Sequence, residues 1–191
     1  MIDRRIIKTK DNIYRTFLEL LAKKDFARIT VVEICETALI SKSTFYTYFE
    51  DKFALLEQVV HDYTKKFEKM IKDRFKAIDD NNAHVVILNI MNDLEDNSYA
   101  LQLLFQIHIL NMDLEENIRQ ILYGEAYQYL TGRNVKTKYP ILFIAKGYAE
   151  MALFSIKIGI SNSKDKEQAM KMQTDVIVKL QNAFEDILFI A

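Results

Sequence analysis

Proline occurs once and glycine four times in these 191 residues. Hairpins and tight β-turns draw on both residues, so their scarcity disfavours a sheet-rich fold. Cysteine is limited to Cys35, which excludes an internal disulfide and fits a reducing cytoplasm. No uninterrupted apolar run is long enough for a membrane span. The most apolar stretch, Ile141 to Ile160, is broken by Lys146, Glu150 and Lys157. Asp3-Arg4-Arg5 leads straight into an amphipathic pattern and does not read as a signal peptide. A soluble, cytoplasmic protein is expected. The net charge of −1 leaves no general polyanion-binding surface. His61, His84 and His108 have no metal-ligand spacing, and there is no glycine-rich phosphate loop, nucleophile elbow or paired-carboxylate arrangement. Catalytic residues, metals and cofactors are therefore not predicted, and the chain does not read as an enzyme.

What is present is helical periodicity, in an all-α chain of about nine helices. The first helix spans about Asp3 to Lys23, with Ile6, Ile13, Phe17, Leu20 and Leu21 on one face. Phe26 and Ile29 follow as core plugs. Thr30 is placed to cap a second helix, with Glu33 completing a capping box. Val31, Ile34, Cys35 and Ala38 form its inner stripe. Ser41 caps a third helix, Lys42 to Phe49, whose Phe45 and Phe49 face inward. Asp51 caps a long fourth helix running to about Ile78. After the break at Asp79-Asp80-Asn81-Asn82, five more helices are expected near 83–95, 98–111, 114–131, 139–160 and 164–190, with Pro140 in the first turn of the eighth. Asp79-Asp80 and Glu115-Glu116 read as solvated charges. The domain boundary is placed at residue 50, with residues 51–191 forming a regulatory and dimerisation domain.

Residues 30–52 are the most informative. Two short helices with a tight turn between them form a helix-turn-helix, in which the first helix braces and the second lies in a DNA major groove. With Phe45 and Phe49 turned inward, Lys42, Ser43, Thr44, Thr47 and Tyr48 lie near the outer side. Lys42 can reach a guanine edge or a phosphate, and Ser43, Thr44 and Thr47 offer hydroxyls to base edges. Tyr46 and Tyr48 can extend phenol groups to phosphates. Thr30, Ser41 and Lys52 sit at helix starts, where backbone N–H groups and the positive dipole end favour a phosphate. Arg4, Arg5, Lys8 and Lys10 form a basic segment suited to further backbone contacts. Charge supports this only modestly: residues 1–50 hold nine Lys/Arg against seven Asp/Glu.

Thr30, Ile34, Ala38, Ser41, Thr44, Phe45, Tyr46, Tyr48, Phe49, Lys52 and Leu55 fall in register with a known motif. Over about residues 5–60 the chain resembles the TetR/AcrR family of bacterial transcriptional regulators. It departs from the pattern at Leu39, where the turn usually has glycine, and at Ser43, where small residues such as glycine are frequent. A left-handed Leu39 would cost on the order of 1 kcal/mol. The resemblance implies a homodimeric repressor with two third helices in successive major grooves of a palindromic operator, about 34–36 Å apart. A small effector bound by the second domain would respace them. Some relatives are instead co-activators of dihydroxyacetone kinase genes, acting through a protein partner, and that alternative stays open.

In the C-terminal half, polar and adaptable residues inside apolar helices are the pocket candidates: Gln102, Gln106, His108, Tyr123, Tyr127, Tyr148, Met151 and Phe154. A lipophilic or aromatic effector would suit them, and so would an ordinary packed bundle. Ala145, Ala149 and Ala152, with Gly147 beside them, form a small-residue stripe in the eighth helix. Ile177, Leu180, Phe184, Ile187 and Ala191 form a coiled-coil-like seam in the ninth. These last two helices are the expected dimer interface.

Overall fold

The computed structural model describes residues 4–79, 92–133 and 139–161. Among them every regular element is helical. These are α1 (Arg4–Leu21), a 3₁₀ turn (Phe26–Arg28), α2 (Val31–Thr37), α3 (Lys42–Tyr48), α4 (Lys52–Asp79), α5 (Ser98–Leu104), α6 (Leu114–Gly132) and α7 (Ile141–Ile160). The expected helix 164–190, with its seam from Ile177 to Ala191, lies outside the described residues. So does most of the helix expected over 83–95, of which residues 92–96 are described and helical.

The chain forms two compact units. The first holds Met1–Tyr63 together with Leu103–Leu114, and the second holds Thr64–Gln102 and Glu115–Ala191. In the first unit α1 packs on α2, and α2 on α3. Its core comprises Ile13, Phe17 and Leu20 of α1, Phe26 and Ile29 of the linking turn, and Ile34, Cys35 and Ala38 of the α2 region. Phe45, Phe49, Leu55, Leu56 and Val59 complete it. Ile6 does not join them. The first two turns of α1 carry no buried side chain, and Ile6 is exposed. Phe26 meets Phe17 and Phe53 edge-on, at centroid separations of 6.0 and 5.3 Å. The Tyr14 hydroxyl donates to Asp62 at 2.9 Å and so ties α1 to α4. Burial, and behind it that carboxylate, push the phenol's pKa upward.

Both short helices start where capping chemistry places them. Thr30 and Glu33 form the complete capping box, Ser41 Oγ accepts from Thr44 N at 3.0 Å, and Asp51 Oδ1 accepts from Phe53 N and Ala54 N at 2.8 Å each. Helix α2 ends in a paired C-terminal turn, with Leu39 N donating to Glu36 O at 3.3 Å and Ile40 N to Cys35 O at 3.0 Å. That geometry needs a left-handed residue at Leu39, and its φ is 54°. The side chain is 91% exposed, so packing gives it no compensating anchor. Asn12 Nδ2 fastens the turn by donating to Ala38 O at 2.8 Å.

One expected helix is shorter than its periodicity indicates. Helix α5 stops at Leu104 instead of running to residue 111. Phe105 and Ile107 are both buried, two residues apart, while Leu110 is 87% exposed. An α-helix cannot turn both of the first two inward, so burial of this segment in the first unit overrides its helical pattern. Asn111, with φ 66°, completes the reversal.

In the second unit Phe67, Ile71 and Phe75 of α4 are buried, as are Ile118, Leu122, Ala126 and Leu130 of α6 and Ile144, Leu153, Ile156 and Ile160 of α7. Ala145 and Ala149 are buried here too, inside the protomer, so these two alanines do not form an outward stripe. Gly147 is exposed, as are Leu142, Phe143 and Phe154.

Two changes test these assignments. Phe45→Ala should destabilise the protein by about 3–5 kcal/mol, read as a lower denaturation midpoint, because a fully buried ring leaves a cavity. Leu39→Gly should raise stability by on the order of 0.5 kcal/mol, since relief of the left-handed strain exceeds the entropy added to the unfolded chain.

Candidate nucleic-acid interface

Helix α3 is two turns long and is held from one side. Phe45 is fully buried and Phe49 nearly so, with their rings 5.7 Å apart. Tyr14 of α1 lies 6.1 Å from Phe49, and the Lys10 ammonium sits 5.9 Å from the same ring. This anchoring leaves Lys42, Ser43, Tyr46 and Thr47 exposed and Thr44 and Tyr48 half-buried.

The nine residues predicted to touch DNA separate into two groups by what their polar atoms already do. Thr30 Oγ1 accepts from Glu33 N and donates to Glu33 Oε2 at 3.1 Å, while Thr30 N donates to the same carboxylate oxygen at 3.0 Å. Ser41 and Thr44 share a hydroxyl–hydroxyl bond of 2.8 Å on top of the backbone cap. Lys52 is the most heavily engaged. Its Nζ donates to the carbonyls of Phe26, Ala27 and Ile29 at 3.0, 2.9 and 2.8 Å. An ammonium has three N–H donors, so all three are used. The same cation lies 4.8 Å from the Phe26 ring centre and 5.5 Å from that of Phe53. Lys52 thus closes the turn that leads into α2.

The second group carries unengaged chemistry outward. Among the described residues Lys42 Nζ, Ser43 Oγ and the Tyr46 and Tyr48 hydroxyls have no hydrogen bond or ion pair. Thr47 Oγ1 donates to Ser43 O at 2.9 Å, which leaves its oxygen lone pairs and its methyl facing out. That combination can accept from an adenine or cytosine amino group, or touch a thymine methyl. Tyr46 is 56% exposed, and its ring meets Phe45 edge-on at 5.7 Å.

Residues that sequence inspection did not single out also hold the site. Lys24 hydrogen-bonds Glu33 and, with Thr30, keeps that carboxyl below the usual carboxylate range. Asn12 is a second, since a lone polar residue on an apolar helix gives no sign of a backbone partner 26 positions away. Cys35 is buried on the inner stripe of α2, and burial pushes its thiol pKa up. Among the described residues no cluster of three His, Cys, Asp or Glu is placed to hold a metal, and no helix is long and apolar enough to cross a membrane.

The predicted pocket residues fall in both units. Gln106 and His108 belong to the first unit, where His108 Nδ1 is hydrogen-bonded to Asp113 at 2.8 Å and its side chain is 61% exposed. Gln102, in the second unit, donates to the Ile160 carbonyl. Tyr127 is exposed and 6.0 Å from Tyr123. Met151 is half-buried, Phe154 is exposed, and the Tyr148 hydroxyl is buried.

Residues 13–59 match the family model described as bacterial regulatory proteins, tetR family. Over 67 residues the chain is 36% identical to the uncharacterised HTH-type transcriptional regulator YxbF of Bacillus subtilis, covering 35% of this chain and 18% of that protein. Over 139 residues it is 27% identical to the uncharacterised HTH-type transcriptional regulator YerO of the same organism, covering 62% and 48%. The chain thus spans less than half the length of these curated relatives. A crystal structure of a Syntrophomonas wolfei protein assigned to the TetR family superposes with a TM-score of 0.67 over 91% of this chain and 94% of that one. At 17% identity that likeness speaks to fold alone. Residues 13–59 thus carry a helix-turn-helix of the tetR type, and the chain shares the helical fold of that structure.

Proposed function

We propose that the protein binds a palindromic operator as a homodimeric repressor and leaves it when a small molecule occupies its second unit. One observation carries the DNA part. Helix α3 is anchored by two buried phenylalanines, while Lys42, Ser43, Tyr46 and Thr47 are exposed and Tyr48 is half-buried, and among the described residues none of the five has a polar partner except Thr47's backbone bond. A helix serving only the core would not need that surface. Thr30, Ser41, Thr44 and Lys52 act one step removed, by fixing where the helices begin and how the turn into α2 is held. Of these, Thr30 and Ser41 still present helix N-termini to a phosphate.

The homodimer draws support from α7. Phe143 and Phe154 are 76% and 61% exposed, eleven residues and so about three turns apart, with Gly147 exposed between them. Large apolar side chains repeated along one helix face mark an interaction surface. A second copy of the same helix covers it symmetrically.

Fluorescence anisotropy against DNA from the protein's own promoter region, with random DNA and a salt series, tests the DNA reading. Lys42→Ala should leave thermal stability unchanged and flatten the log-affinity against log-salt slope by about one phosphate's worth. Lys52→Met should lower stability by about 2 kcal/mol or more, because three carbonyls lose a charged donor, and weaken all DNA binding through that loss. Equal affinity of the wild-type protein for promoter and random DNA would sink the assignment. For the dimer, sedimentation should show two chains per particle in the wild type and one in Phe143→Glu/Phe154→Glu; a monomeric wild type would remove it.

A further inference from the structure

Arg74 on α4 stands apart from the other cations of the second unit. Among the described residues its Nε is buried without a hydrogen-bond acceptor in good geometry, and the Tyr148 hydroxyl is the polar group that its guanidinium acts on. No carboxylate lies within ion-pair distance of its guanidinium among the described residues, although the neighbouring cations Lys72 and Arg119 both have one. A guanidinium cannot shed its proton to escape burial, and a buried N–H left without an acceptor costs about 1–3 kcal/mol. The group also has a defined flat neighbour. Its central carbon lies 5.6 Å from the centre of the Tyr148 ring. Phe75, the next residue on α4, lies 5.6 Å from Tyr148 and 5.3 Å from Tyr129. A second guanidinium, Arg133, lies 4.5 Å from the centre of the Tyr129 ring. Arg74, Tyr129 and Tyr148 each keep some contact with solvent, so the cluster is not sealed.

An anion with a flat apolar body satisfies both features. We propose that this cluster is the effector site and that it takes a small aromatic carboxylate. The carboxylate bonds the Nε edge of Arg74, where two parallel N–H donors match its two oxygens. The ring lies against Phe75, Tyr129 and Tyr148. This deepens the effector-release reading above and rests on it.

The test uses the full chain with benzoate, salicylate and indole-3-acetate as probes and their neutral amides as controls. Thermal shift and calorimetry read binding; anisotropy on promoter DNA reads release. At least one carboxylate should raise Tm and weaken DNA binding, while its amide does neither. In Arg74→Met the affinity for that carboxylate should fall about ten- to a hundredfold, with the Tm of the unliganded protein no lower than wild type. Arg74→Lys, which keeps the charge without the fork, should retain part of the affinity and covers the case of a poorly folding methionine variant. The proposal is overturned if no carboxylate shifts Tm, if amides bind as well as acids, or if both Arg74 variants keep full affinity. A neutral aromatic that releases DNA where the acids do not would overturn it while leaving effector release standing. Release by none of the compounds, acid or amide, would count against both.

Discussion

The ammonium of Lys52 holds together the parts of the first unit that have no regular structure to hold them. The chain leaves α1 at Leu21 and reaches α2 at Val31, and in that interval the carbonyls of Phe26, Ala27 and Ile29 need donors. A helix starting at Lys52 brings one ammonium that donates to all three, alongside the Ile29 N–H on the Phe26 carbonyl, and its charge also rests on the Phe26 and Phe53 rings. Because Phe26 and Ile29 are themselves buried, their burial and the lysine's bonds depend on each other. Thr30 follows directly, so the position at which α2 starts is set by the same contact.

From that point the geometry of the reading helix follows in short steps. Glu33 closes the capping box and bonds Lys24, which fixes the first turn of α2. The paired C-terminal turn at Leu39 fixes its last, with Asn12 holding Ala38 in place. Ser41 then starts α3 two residues after the left-handed position. Each of these contacts helps decide where Lys42 and Thr47 point. Strain at Leu39 is tolerated because the two backbone bonds of the turn require that conformation whatever the side chain.

Caps and buried stripes made this unit legible in its amino-acid order. Thr30, Ser41 and Asp51 each mark a helix start, and Phe45 with Phe49 assigns the inner face. These are local signals, acting within four residues. The roles of Lys52 and Asn12 are bonds to carbonyls 23 to 26 residues away, which no local pattern announces. The same limit applies to residues 105–113. Their apolar spacing reads as helix, but Phe105 and Ile107 are drawn into the first unit from a distant point in the chain. Gln106 and His108, singled out for their polarity within an apolar run, belong to the first unit with that segment.

The second unit treats its charges in two ways. Arg119 reaches three carboxylates: Glu116, Glu115 at 3.1 Å and Glu150 at 3.0 Å. Burial works against its charge, but those carboxylates outweigh it and hold the guanidinium above its ordinary pKa. Glu115, itself nearly buried, is shared with Lys157 of α7 at 2.8 Å. This network ties α6 to α7, and each of its members is neutralised by a neighbour, as a group kept for structure should be. Arg74, two residues on from Lys72, has no carboxylate neighbour among the described residues and lies against the Tyr148 ring instead. Arg119 is thus held by carboxylates, whereas Arg74, among the described residues, is set against the ring and hydroxyl of Tyr148.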